Sequence, residues 1–147
     1  MLSAQRLPMM HPESEQTMKQ EKLEEILVLT RRIGNLFHEV MDISAQLAEA
    51  IDRRDEVSMQ MIIAMRAEPI GKLTIADRAI REQMDLLGGE DAERIRAILN
   101  GDESRAGEGM ERLLAEQASM NIRAHRKLME LDEILNKKIG RDKSVYQ

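Results

Sequence analysis

Apolar residues recurring at steps of three and four limit most strongly what this chain can fold into. From Leu23 the order runs Ile26, Ile33, Phe37, Val40, Leu47 and Ile51, with Thr30 and Ser44 in the same frame. Such spacing lays one apolar stripe along one side of an α-helix, whereas a half-buried strand would need a period of two. Pro12 suits a first helical turn, and Glu13 and Glu15 suit its positive end. From there to Arg53 only Gly34 argues against a continuous helix. At a rise of ~1.5 Å per residue, such a helix is about 60 Å long and needs partners along its length. Gly34 weakens a helix interior, so it either marks a close helix approach or is merely tolerated.

The wholly charged stretch Asp52, Arg53, Arg54, Asp55 predicts the first turn, with Asp55 capping the next helix. This second helix carries Val57, Met61, Ile62 and Met65, then meets Pro69 and Gly71. A proline pushes the residue before it out of the helical region, which predicts a kink or a one-turn break over 67–71. The period resumes at Leu73, Ala76, Ile80, Met84 and Leu87, and Gly88-Gly89 ends it. A short third helix holds Ala92, Ile95, Ile98 and Leu99. Asn100-Gly101 stops it, and residues 102–109 have the composition of a flexible hinge. The last helix steps through Met110, Leu113/Leu114, Gln117, Met120/Asn121, Ala124, Leu128, Leu131 and Leu135. Lys137 and Lys138 suit its negative end, and Gly140 is the expected stop.

These elements predict an all-α fold: an antiparallel, coiled-coil-like bundle of three long amphipathic helices and one short one. Residues 1–12 are expected to be disordered, 13–140 to form one bundle domain, and 141–147 a polar C-terminal tail. The size of the chain, 147 residues, suits a single domain with a real core. Composition agrees, with 33% charged residues, one Phe, one Tyr and no Trp, where strands would draw on aromatic and β-branched residues.

Several functions are disfavoured on chemical grounds. There is no Cys, which removes disulfides and Cys-based zinc sites. No stretch reaches the ~20 apolar residues of a membrane span, and residues 1–10 lack the apolar run of a signal peptide, so a cytoplasmic location is expected. A net charge of −5 argues against nucleic acid and anionic membranes. The basic residues Arg123, His125, Arg126 and Lys127 are followed at once by Glu130, Asp132 and Glu133, the pattern of a solvated mixed-charge face. His11, His38 and His125 are not paired at helical spacing, and no Glu-x-x-His step exists, so no metal site is expected. Neither Gly88-Gly89 nor Gly107-x-Gly109 has the Lys and preceding strand of a phosphate loop. No activated nucleophile can be placed, and neither an enzyme nor a cofactor is expected.

Methionine is abundant, at 12 residues. A copper(I) thioether site would need convergence, yet Met59 and Met61 lie two apart and point to different helix faces. Core filling is one explanation, and an adaptable apolar surface for a partner helix is the other.

The residues Ala50-Ile51-Asp52-Arg53-Arg54-Asp55, then 61–66, Ile70 and Leu73, resemble the FlgN family of flagellar export chaperones. Those proteins have a long first helix, a short polar turn and a second helix with a charged pair, here Arg66 and Glu68. Pro69 departs from the family's uninterrupted second helix. In the last helix, Leu113-Leu114-Ala115-Glu116-Gln117 followed by Asn121 is similar to the family's pattern, as is the tail from Gly140 to Tyr146. The resemblance covers roughly residues 20–147 and consists mostly of helical period plus punctuation. It implies a cytoplasmic chaperone that binds amphipathic C-terminal segments of hook–filament junction proteins and helps deliver them to the export apparatus. The expected partner-binding face is on the last helix: Met110, Leu113, Leu114, Gln117, Met120, Asn121 and Leu128. The competing expectation is a self-associating helical adaptor, a possible homodimer, which a charge-rich helix of ~60 Å supports equally.

Overall fold

A computed structural model describes the backbone of residues 12–145 and the side chains of residues 14–141. The expectation of a disordered stretch over 1–12 falls, except for Pro12, outside the described residues. The elements are α1 (Pro12–Asp52), α2 (Glu56–Leu87), α3 (Gly89–Leu99), a single 3-10 turn (Glu103–Arg105) and α4 (Met110–Val145). Among the described residues there is no strand, and the protein is an all-α helical bundle of three long helices and one short one.

The turn between α1 and α2 reverses the chain in three residues. Arg54 takes a left-handed φ of 57°, so its N–H bonds the Ile51 carbonyl and that of Asp55 bonds the Ala50 carbonyl. The Asp55 carboxylate then accepts the backbone N–H of Ser58 at 3.1 Å and its hydroxyl at 2.6 Å, capping α2. The Ser58 hydroxyl bond, then its backbone bond, holds the Asp55 carboxyl below its ordinary value.

The packing register of α2 differs from the expected stripe. Val57, Met61 and Met65 face outward, and the buried line is Ile62, Pro69, Ala76, Ile80 and Met84. No break occurs at 67–71, because Pro69 lies on that line and is fully covered. Burial of its ring against the core overrides the local cost of the missing N–H. At the other terminus, α4 continues through Gly140 to Val145, so the expected tail from 141 onward is helical as far as it is described. A single glycine costs a helix only about 1 kcal/mol and does not compel a stop.

Helix α1 is the central element. Its stripe touches both α2 and α4, which is why Leu27, Leu36, Ile43 and Ala50 are buried beside the expected positions. Helices α1 and α2 are antiparallel, as their short link requires. Helix α4 runs parallel to α1: Asn121 reaches Thr30, His125 lies against Phe37, and Lys138 pairs with Asp52. The expected antiparallel order fails for this pair because α3 climbs beside the end of α2 and residues 100–109 bring the chain back down. That return is fastened, unlike the expected hinge. Ser119 donates to the Glu103 carboxylate at 2.6 Å, and Glu111 accepts from Gly107 N–H at 3.1 Å and from Arg94.

In cross-section the four helices form a square. Among the described residues, no Cα of α1 comes within 8 Å of one in α3, and none of α2 comes within 8 Å of one in α4. One core, with Ile26, Ile80, Met84, Ile95, Ile98 and Leu114, draws on all four helices. The other, with Ile43, Leu47, Ile51, Ile62 and Leu135, draws on the three long ones only.

Candidate partner-binding groove

The square is incomplete. Helix α1 has 41 residues and α3 has 11, so the corner opposite α1 is filled over about 16 Å of a length near 60 Å. Beyond the end of α3, α2 and α4 stand apart over the floor made by α1. A cavity of about 640 Å³ opens there, floored by Ile33 and Phe37, walled by Ile80 and Arg81 on α2 and by Ile122 and His125 on α4. Leu99 and Asn100 at the end of α3 close one side of it.

The walls continue past the cavity. Ile70 and Ile63 precede Asp77, a lining residue, by seven and fourteen positions, so they share its helix face. Both are exposed. On α4, Met129 follows Ile122 by seven positions and is 55% exposed. The result is a trough whose walls mix apolar with charged residues; its floor is open at Ile33 and Phe37, while farther along α1 Val40 and Ser44 are already covered.

A polar layer crosses the trough. Arg66, at an inward position of α2, donates from Nε to the Ser44 hydroxyl of α1 at 2.9 Å and from Nη2 to the Asp132 carboxylate of α4. The Ser44 hydroxyl in turn donates to the Val40 carbonyl at 2.6 Å. This bridge joins α2 and α4 where their backbones do not approach. Of the charged pair seen in the sequence, only Arg66 points in, while Glu68 is exposed and pairs with Lys72.

The seven residues expected to bind a partner do not act as one face. Leu114 and Leu128 are core residues. Gln117 and Asn121 are hydrogen-bonded to each other at 2.9 Å in the α1–α4 seam, and Asn121 also donates to the Thr30 carbonyl at 2.8 Å. Asn121 does line the cavity. Met110 and Leu113 border a shallow depression beside Leu27 and Val28. Leu113 and Met120 are exposed, but seven apart on the flank of α4 turned away from the groove. The residues that sequence reasoning missed are Ile63 and Ile70 on α2 and Ile122 and Met129 on α4. The available signal was a second pair of apolar positions, spaced by seven and offset from each core stripe.

Among the described residues no group of three or more His, Asp or Glu is placed to hold a metal ion. None of the described helices is long and apolar enough to cross a membrane. No family model, no curated protein and no solved structure matches the chain significantly.

Proposed function

We propose that the protein is a cytoplasmic export chaperone that holds an amphipathic helix of its client as the missing fourth helix of the square. The observation that carries this reading is the separation of α2 from α4 beyond the end of α3, with exposed Ile63, Ile70 and Met129 on the walls. A helix laid there covers Ile63, Ile70 and Met129 on the walls and closes the cavity over Ile33 and Phe37, a helix-in-groove mode of recognition. Methionine on the wall adapts to varied side chains. The resemblance to flagellar export chaperones supplies the client class: the C-terminal segment of a hook–filament junction protein, shielded before secretion.

The test is calorimetric titration of the full chain with that segment from the same cell. One-to-one binding at micromolar affinity or tighter is expected. Ile70→Glu with Met129→Glu is expected to abolish it while leaving helicity unchanged, and Leu113→Glu with Met120→Glu on the opposite flank to leave it intact. Loss of binding in the second pair alone would move the site to that flank. Absence of any complex at high concentration would remove the flagellar client.

A further inference from the structure

The groove uses one side of α2, and the other side carries a second apolar line that stays outside both cores. It runs Val57, Met61, Met65, Ile75, Ala79 and Leu86, with Glu68 and Lys72 at its middle. The steps from Val57 to Ala79 are four, four, three, four, three and four, the spacing of a helix–helix seam. Met61 is 62% exposed, Ile75 65% and Leu86 66%, values far above those of the core stripe on the same helix. The line spans about 40 Å of helix, and the Glu68–Lys72 pair divides it into two apolar stretches over 57–65 and 75–86.

Between Met61 and Ala79 the order of residues along this line is symmetric about position 70, while Val57 and Leu86 lie outside the symmetric part. When two copies of α2 lie antiparallel about a two-fold axis there, each residue faces the one whose number completes the same sum. Met65 faces Ile75 of the other copy, Met61 faces Ala79, and Glu68 faces Lys72. Apolar meets apolar, and acid meets base, twice over because the contact is reciprocal. Parallel pairing would stack each residue on itself, setting Glu68 against Glu68 and Lys72 against Lys72. Within one chain Glu68 and Lys72 already pair at 3.4 Å, so in the two-fold arrangement the four charges alternate in sign.

We infer that the outer face of α2 is the interface with a second copy of this chain, paired antiparallel through Met61, Met65, Glu68, Lys72, Ile75 and Ala79. The face lies on the side of α2 away from α4, so pairing leaves the groove of each copy open. The assignment stands independently of the client proposed above.

Sedimentation velocity of the full chain over a wide dilution series tests it. The expected result is a dimer that dissociates on dilution. Met61→Glu with Ile75→Glu is expected to weaken it by about tenfold or more. Glu68→Lys alone, or Lys72→Glu alone, weakens it by placing like charges opposite each other, and the combined E68K/K72E chain recovers the dimer. These positions are exposed, and circular dichroism checks that each variant stays helical. Because the combined chain also restores the pair within one helix, the deciding arm mixes the E68K chain with the K72E chain. Each altered charge then faces an opposite one across the seam while the pair within each chain stays broken, so a mixed dimer is expected, and its absence overturns the assignment. The M65C/I75C chain, otherwise free of cysteine, is expected to form a covalent dimer on oxidation. A monomer at all concentrations, a dimer indifferent to these changes, or a combined charge reversal as weak as the single ones would overturn the assignment.

Discussion

Gly34 of α1 lies directly beneath the Asn121 carboxamide of α4: a Cβ at position 34 would stand 2.6 Å from Asn121 Oδ1 and 2.7 Å from Gln117 Nε2. Asn121 is not free to swing aside, because its Nδ2 is bonded to the Thr30 carbonyl and the residue is buried. The glycine is therefore a close-approach position, one of the two possibilities the sequence left open.

Gly34→Ala is expected to destabilise the fold by roughly 1–2 kcal/mol, because the buried hydrogen bond must be distorted. In an unpacked helix the same change would stabilise by up to ~1 kcal/mol. Gly71 offers the control, since no atom lies within 4 Å of its would-be Cβ. Gly71→Ala is expected to stabilise by about 0.4–1 kcal/mol. Urea denaturation of the two variants checks the opposite signs.

Arg66 is a two-partner residue, and lysine cannot replace it. A lysine ammonium lacks the planar fork that serves Ser44 and Asp132 together. Arg66→Ala is expected to cost about 1–3 kcal/mol, and Arg66→Lys about 1 kcal/mol. A double-mutant cycle with Asp132→Asn is expected to return a coupling of at least ~0.5 kcal/mol. Additive losses would mean that the bridge contributes nothing as a pair.

Leu114 and Met120 stand only six residues apart, yet their truncations separate sharply. Leu114 is fully buried in the four-helix core, while Met120 is 49% exposed. Leu114→Ala is expected to cost about 2–5 kcal/mol, and Met120→Ala to change stability by no more than ~0.5 kcal/mol. Thermal and urea melts give both numbers. A charge at Leu114 unfolds the protein and so reports nothing about partner binding.

Acid loosens the cluster of Asp91, Arg94 and Glu111 that ties α3 to α4. Burial pushes the Glu111 carboxyl up, but the Arg94 hydrogen bonds, the Gly107 N–H and the Arg94 charge together leave it below its ordinary value of about 4.5. Asp91 is lowered by its bond to Lys19, and the Arg94 guanidinium is raised chiefly by Glu111. A carboxyl whose folded value is depressed contributes stability that is present above its unfolded value and lost as pH falls through the folded one. Stability is therefore flat near neutrality and falls below about pH 4.5 for this cluster. Glu111→Gln is expected to cost roughly 1 kcal/mol at neutral pH and to flatten the acid limb of the melting temperature against pH.

The ends of α1 and one of its buried lines were legible because those positions obeyed a local rule, whereas Leu27, Leu36, Ile43 and Ala50 are buried because α1 packs on two helices at once. The stripe from Ile26 to Ile51 followed the helical period, and Asp55 capped α2 as its chemistry suggests. The register of α2 was not legible, since Val57, Met61 and Met65 fit a helical stripe as well as Ile62, Ala76 and Ile80 do. Two apolar lines on one helix leave local spacing with no means of choosing the inner one. The inner line is the one that also holds Arg66 and Pro69, residues that pattern reading assigns to surface and to breaks. The seven candidates on α4 failed to form one face for the same reason: their numbering mixes the core line of Leu114 and Leu128 with the flank of Leu113 and Met120.

By itself the sequence determined that this chain is helical, where its three long helices lie, and that none of the described helices is long and apolar enough to cross a membrane, because composition and period act within a few residues. Tertiary structure decided which apolar line of each helix is buried, that α4 runs parallel to α1, and that a fourth helix of only 11 residues leaves an open groove. Those outcomes depend on how residues as distant as Thr30 and Asn121, or Arg66 and Asp132, share space. Burial is a property of the assembled helices, and no helix carries it alone.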